Sequence, residues 1–209
     1  MRILRYTDPD YAKAIHSLNR HAEPGAEVYA TVHEIVETVR RDGNRALFDY
    51  TRKFGGPELT AKTVRVSAAE LKAAGKRVSA EIKTAIAASH KNVRQFAEKS
   101  KRKNWSSRNS QGALVGERFD PFERVGIYVP GGTAPLVSTA IMTCTLAAVA
   151  GVPEIVVATP AGPNGKVNDA LLYALEYAGA TEIYKVGGAQ AIAALAYGTE
   201  SIRPVVKIF

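Results

Sequence analysis

Two loops in the second half of the chain hold the residues best placed to do chemistry. Val129-Pro130-Gly131-Gly132-Thr133-Ala134-Pro135 and Val186-Gly187-Gly188-Ala189-Gln190 each follow a short apolar run ending in Val, and each opens an Ala-rich, helix-like run. Strand, glycine turn and helix in that order let the backbone approach a ligand closely. They also present the free N–H groups of a helix N-terminus to negative charge. A small anionic ligand or a dinucleotide is the class such loops would take; glycines that merely make tight turns fit the layout as well. Tyr128 closes the apolar run before the first loop, and Gln190 opens the helix after the second. Both side chains donate and accept hydrogen bonds. A Tyr on a strand is more often core than contact. Gln190, alone in an Ala/Ile/Leu helix, is the odder residue: either a cap-like contact or a ligand contact.

The pattern departs from the usual dinucleotide fingerprint. There is no G-x-G-x-x-G, and the second strand-like run leads into Ala158, Thr159 and Pro160, with no carboxylate to grip a ribose. A bound NAD would be held differently. His16, His21, His33 and His90 all lie outside the loop-bearing half. No zinc motif is legible. Cys144 lies mid-helix in a run that should be buried, so it reads as a structural thiol. Ser138 lacks a G-x-S-x-G elbow and reads as a helix N-cap. The residues offer a cofactor cradle and no catalytic machinery.

The elements that position these loops follow from periodicity. Residues 1–109 read as a mainly helical region with one short strand, and residues 110–209 as a Rossmann-like α/β domain that is incomplete at its C-terminus. In the first region, Tyr11, Ile15 and Leu18 mark one helical face. Val32, Ile35, Val36 and Val39 mark a second that ends near Asp42-Gly43, and Ala46, Leu47 and Tyr50 a third. Thr63–Val66 alternates like a strand. Ser67-Ala68-Ala69-Glu70 is a capping box that starts another helix, which Gly75 should end. Ile82, Ile86, Val93 and Phe96 mark a longer helix, and the polar stretch 100–112 reads as a linker or exposed loop. Asp120-Pro121 suggests a hairpin between 113–119 and 124–129. Strand-like runs then cover 125–129, 154–158, 182–186 and 204–209. They alternate with helix-like runs over 138–150, 168–178 and 189–197, with Gly151, Gly179 and Gly198 just past the helices. That order argues for an α/β fold, a helical N-terminal region followed by a Rossmann-like parallel sheet.

Composition bounds the rest. A chain of 209 residues with a hydrophobic fraction of 46% has material for one core or two small ones. No apolar stretch is long enough to span a bilayer. The N-terminus turns polar too soon for a signal peptide, and a single cysteine excludes an internal disulfide, so a cytoplasmic location is the default expectation. The net charge of +8 belongs wholly to residues 1–109; residues 110–209 are slightly acidic. The basicity peaks at Lys99–Lys103. No aromatic ladder accompanies it, which favours a solvated helix end over a nucleic-acid surface.

At the two loops the chain resembles a known family. Val125-Gly126-Ile127-Tyr128-Val129-Pro130-Gly131-Gly132-Thr133-Ala134-Pro135-Leu136 is similar to the signature of the histidinol dehydrogenases. So is the run Val186-Gly187-Gly188-Ala189-Gln190 through Tyr197-Gly198-Thr199-Glu200, and so is the closing Lys207-Ile208-Phe209. The resemblance covers nearly the whole chain. It implies an aldehyde-dehydrogenase-like architecture, NAD-dependent oxidation of L-histidinol to L-histidine through an aldehyde in histidine biosynthesis, zinc at the active site, and an intertwined homodimer. It implies that Tyr128 and Gln190 contact NAD, with Pro130 and Gly131 lining the same loop. In the family the zinc ligands, the acid/base pair and the substrate residues lie beyond the Lys-Ile-Phe match. The expectation is therefore a truncated chain, inactive alone, with no catalytic or metal residue of its own. The alternative is a natural half-length nucleotide-binding or assembly module. No nucleic-acid or membrane partner is expected.

Overall fold

The computed structural model describes residues 3–18, 25–131 and 135–209. Gly132, Thr133 and Ala134 of the first loop, and His21, lie outside the described residues. Contacts divide the chain into two compact units, residues 1–34 and 35–209. The first contains α1 (Tyr11–Leu18), in which no residue is buried, and the opening turns of α2 (Ala26–Asp42).

The second unit is built on a four-stranded parallel sheet. Its strands are β3 (Arg124–Tyr128), β4 (Glu154–Ala158), β5 (Glu182–Tyr184) and β6 (Lys207–Ile208), in the spatial order β5-β4-β3-β6. Residues of these strands are apolar with little alternation because both faces are covered. On one face Val125, Ile127, Ile155, Val157 and Ile183 pack with α4 (Ala68–Arg77), α5 (Ala80–Ser100), α6 (Val137–Ala150) and α7 (Asp169–Tyr177). On the other, Val156, Ala158 and Tyr184 pack with the last turns of α2, with α3 (Asn44–Lys53) and with α8 (Gly188–Tyr197). Strand order therefore reverses between β3 and β6, the chain crossing to the second face through α8.

Local chemistry sets the helix ends. Ser67 caps α4: its Oγ accepts from the Glu70 N–H while the Glu70 carboxylate accepts from the Ser67 N–H, the two halves of a capping box. Gly75 does not end α4. It lies inside the helix, which runs on to Arg77 and stops at Val78, where extended backbone leads to Ser79, the cap of α5. Ser138 is not a cap either. Leu136 occupies that position and Ser138 is already helical. Gly151 ends α6 in the left-handed conformation, φ 95°. The stripe read along α5 is buried only at its middle: Ile86 is in the core, whereas Ile82 and Phe96 are exposed.

The hairpin forms one strand earlier than the turn signal suggests. The polar stretch contains β1 (Trp105–Arg108), paired antiparallel with β2 (Leu114–Glu117). Asn109 closes that turn by accepting from the N–H groups of Gln111 and Ala113. β3 pairs instead with β4 and β6, because its apolar residues are buried there on both faces, whereas β2 is exposed along its whole length. The short run at 63–66 is reduced to an edge segment on β5, where Val66 N–H donates to Ile183 O and Lys185 N–H to Val64 O.

Candidate ligand site at the strand C-terminal edge

All four strands run parallel, so their C-terminal ends share one edge. Tyr128 ends β3 there, and its backbone N–H donates to Phe209 O at 3.0 Å across the β3/β6 switch. The Tyr128 hydroxyl accepts from the backbone N–H of Gly188 at 3.2 Å. Gly188 is the first residue of α8, whose N-cap, Gly187, contributes no side-chain hydrogen bond. A strand residue thus caps the helix that crosses the sheet, and Tyr128 and the α8 N-terminus are brought together as the sequence suggested.

Gln190 lies two residues on. It is 3% exposed, and its Oε1 has no hydrogen-bond partner. Its carboxamide folds over Gly188, which adopts φ 70°; a Cβ there would lie 2.7 Å from Gln190 Oε1. A buried carbonyl oxygen without a donor is costly, and a ligand that brings one relieves the cost. Gln190 borders a cavity of about 290 Å³ shared with Thr51, Phe54, Pro57, Pro160 and Lys185.

Pro130 and Gly131 leave β3 at the same edge and are exposed, outside the walls of that cavity. The first-loop and second-loop glycines meet a common neighbour. A Cβ on Gly131 would overlap the ring of Pro160, and one on Gly187 would stand 2.8–3.1 Å from the same ring. Close packing of three strand exits around Pro160 therefore accounts for Gly131 and Gly187 without a ligand. It does not account for the unpartnered Gln190.

Lys185 was not singled out by its motif, although a lone cation closing an apolar strand is a readable signal. It is 7% exposed, and its Nζ donates to Glu70 Oε1 at 2.6 Å, tying the α4 capping box to the ligand edge. Burial pushes the Glu70 carboxyl up, but the Lys185 ammonium and the Ser67 N–H outweigh it and hold Glu70 below the usual range. Cys144 is buried, and desolvation pushes its thiol up to about 12. Among the described residues, no group of three or more His, Cys, Asp or Glu side chains is arranged to hold a metal ion, and no helix is long and apolar enough to cross a membrane.

The opposite edge is closed by charge. Arg124, Glu154 and Glu182 each open a strand. The Arg124 guanidinium, 6% exposed, donates to both carboxylates, its NH2 group reaching Glu182 Oε2 at 2.8 Å. Arg203 pairs with Glu154 from the approach to β6, and Tyr184 Oη donates to Glu182. Arg124, then Tyr184, holds the Glu182 carboxyl below its ordinary value, while burial and Glu182 push the Tyr184 hydroxyl up to about 12. The signal was available: an ionised residue stands first in three otherwise apolar runs.

A parallel sheet covered on both faces, with a strand-order reversal beside a helix N-terminus, defines a doubly wound α/β protein, and the unpartnered polar side chain marks the C-terminal edge as a candidate ligand site. The comparisons with known proteins narrow that class. The histidinol dehydrogenase family model matches residues 18–209, and the chain belongs to that family. A histidinol dehydrogenase of Syntrophotalea carbinolica is 43% identical over 209 residues, covering 100% of this chain and 48% of the relative. One from a Synechococcus species is 46% identical over 176 residues, covering 84% and 41% respectively. The crystal structure of the histidinol dehydrogenase from Elizabethkingia anophelis superposes with a TM-score of 0.89 at 34% identity, over 97% of this chain and 46% of that one. The chain thus spans about half the length of the relatives it matches.

Proposed function

We propose that these residues are the NAD-side part of a histidinol dehydrogenase, the enzyme that oxidises L-histidinol to L-histidine. The observation that carries this reading is the unpartnered, buried Gln190 Oε1 beside the Tyr128-capped N-terminus of α8, at the C-terminal edge of the sheet. The donor set fits a dinucleotide. Gln190 offers an acceptor, the α8 N-terminus offers a positive dipole end to phosphate, and Pro130 and Gly131 give an exposed backbone along which an extended ligand can lie. NAD, when bound, is the hydride acceptor of the oxidation. Tyr128 orients the α8 N-terminus, and Gln190 fixes the ligand's orientation. The described residues do not fit a zinc ion: they include no group of three or more His, Cys, Asp or Glu side chains arranged to hold one.

Turnover requires an acid/base pair and substrate contacts that the reading places outside residues 1–209. The chain by itself should therefore bind NAD and release no NADH from L-histidinol. Titration of the chain with NAD, followed through the Gly188 and Gln190 backbone amides, tests the first half of that statement. Histidinol-dependent NADH absorbance tests the second. Absence of NAD-induced shifts at those amides, or turnover by the isolated chain, would overturn the assignment. The full-length family member is expected to act as a homodimer in the cytoplasm.

A further inference from the structure

The second glycine loop leaves the sheet early. The β4–β5 ladder ends at the pair Ala158–Tyr184, where Tyr184 O still accepts from the Thr159 N–H. Lys185, Val186 and Gly187 then run on to the N-terminus of α8. Two glycines follow one another there, and the helix cap contributes no side-chain bond. At its far end the loop is held by the Gly188 N–H on the Tyr128 hydroxyl. At its near end the ties come from the helical region. Lys185 N–H donates to Val64 O at 2.8 Å, and Lys185 Nζ donates to Glu70 Oε1 at 2.6 Å.

The Glu70 carboxylate divides its oxygens between two tasks. Oε2 accepts from the Ser67 N–H and hydroxyl, completing the α4 cap, and Oε1 takes Lys185. The Lys185 side chain is 8% exposed and that of Glu70 41%. Stability alone does not call for such a pair. Burying an ammonium is costly, and an apolar side chain of similar volume would fill the place as well. What the charge adds is direction, because an ammonium must face its carboxylate at hydrogen-bond distance. That direction is imposed on the residue that begins the loop, just before two glycines, the residues with most backbone freedom to lose.

We propose that Lys185 is a positioning residue for the nucleotide site: its ion pair with Glu70 straps the entry of the second glycine loop to the head of α4. The loop is thereby set in its ligand-ready form before a ligand arrives, and the ligand does not bear the cost of ordering it. Lys185 acts through the Val186–Gly188 backbone, since its ammonium faces Glu70. The helical region thus has a part in binding through Glu70. The inference rests on the dinucleotide reading above and extends it.

NAD titration and amide hydrogen exchange on the 209-residue chain test it, under conditions where urea unfolding shows each variant folded. Lys185→Met should weaken NAD about tenfold. It should also speed exchange at the Val186, Gly187 and Gly188 amides while Val156 and Val157 in β4 stay protected. Lys185→Arg keeps a cation for Glu70 and should restore most of the affinity. Lys185→Met combined with Glu70→Gln should bind NAD no more weakly than Lys185→Met alone, because the interaction is already gone. That double variant leaves no unpaired charge and carries the test if the single one does not fold. Arg77 pairs with Asp169 at the other end of α4, so Arg77→Met should lower stability and leave NAD affinity unchanged. Wild-type affinity in the folded Lys185 variants, unaltered loop exchange, or an equal loss of affinity in Arg77→Met would overturn the inference and leave the dinucleotide reading standing. If NAD shifts no amide of the wild-type chain, both fall together.

Discussion

Replacing Arg124 with Met keeps the aliphatic stem and deletes the guanidinium from the start of the sheet. Two carboxylates, Glu182 and Glu154, then lose a shared partner. Breaking a buried ion pair by removing one member costs about 3–5 kcal/mol, because the other charge is left uncompensated. The Arg124–Glu182 pair carries that figure here, with side chains 6% and 17% exposed. Partial access of water to Glu182 and the hydrogen bond it keeps from Tyr184 bring the expectation to about 2–4 kcal/mol. Glu154 retains Arg203 and adds little. Urea unfolding followed by far-ultraviolet circular dichroism measures the loss as a fall in midpoint at constant slope. Combining the change with Glu182→Gln isolates the pairwise term, which should exceed about 1 kcal/mol. The pH dependence has a definite sign. Arg124 depresses the folded-state pKa of Glu182, so the stability this contributes is fully present above the unfolded value of 4.5 and is lost as pH falls through the lower folded value. The difference between wild type and variant should therefore shrink on acidification below about pH 4.5. A cost under about 1 kcal/mol, or Glu182→Gln costing the same in both backgrounds, would refute the view that this pair clamps the strand starts.

Other consequences follow from single contacts. Cys144, buried and pushed up to about 12, should resist thiol reagents at pH 8 until the chain is unfolded; rapid labelling of the native protein would contradict its placement. Ser67→Ala removes one half of the α4 capping box and should cost about 1 kcal/mol in chemical denaturation, and a neutral result would deny the cap its role. Gly131→Ala drives a methyl into the Pro160 ring and should cost about 1–3 kcal/mol, whereas unchanged stability would show that the first loop can shift away.

Much of the second half was legible because each strand there is a short apolar run bounded by turn residues and each helix an Ala-rich run closed by glycine. Those signals are local. The span of β4 matches its sequence reading, and α6, α7 and α8 differ from theirs by a residue at one or both ends. The errors arose where a local signal competed with a partner elsewhere. Asp120-Pro121 marks a break but cannot say which strands pair across it, and β3 goes to the sheet. Gly75 lowers helix propensity, yet the helix continues through it, because tertiary packing outweighs a deficit of about 1 kcal/mol. The polar residues 105–108 form a strand because β2 completes their backbone hydrogen bonds, which no hydropathy pattern reports.

The sequence by itself determined the α/β class, the family through its two glycine loops, and the candidates Tyr128 and Gln190, because loop chemistry and periodicity are written in neighbouring residues. Only the tertiary structure decided that Tyr128 caps α8, that Gln190 is buried without a donor, that Pro160 is the common reason for two of the glycines, and that Phe54 lies across the same cavity. Those facts depend on which residues 27 to 136 positions apart come together. Sheet register and helix packing settle that, and the chemistry of each residue alone does not.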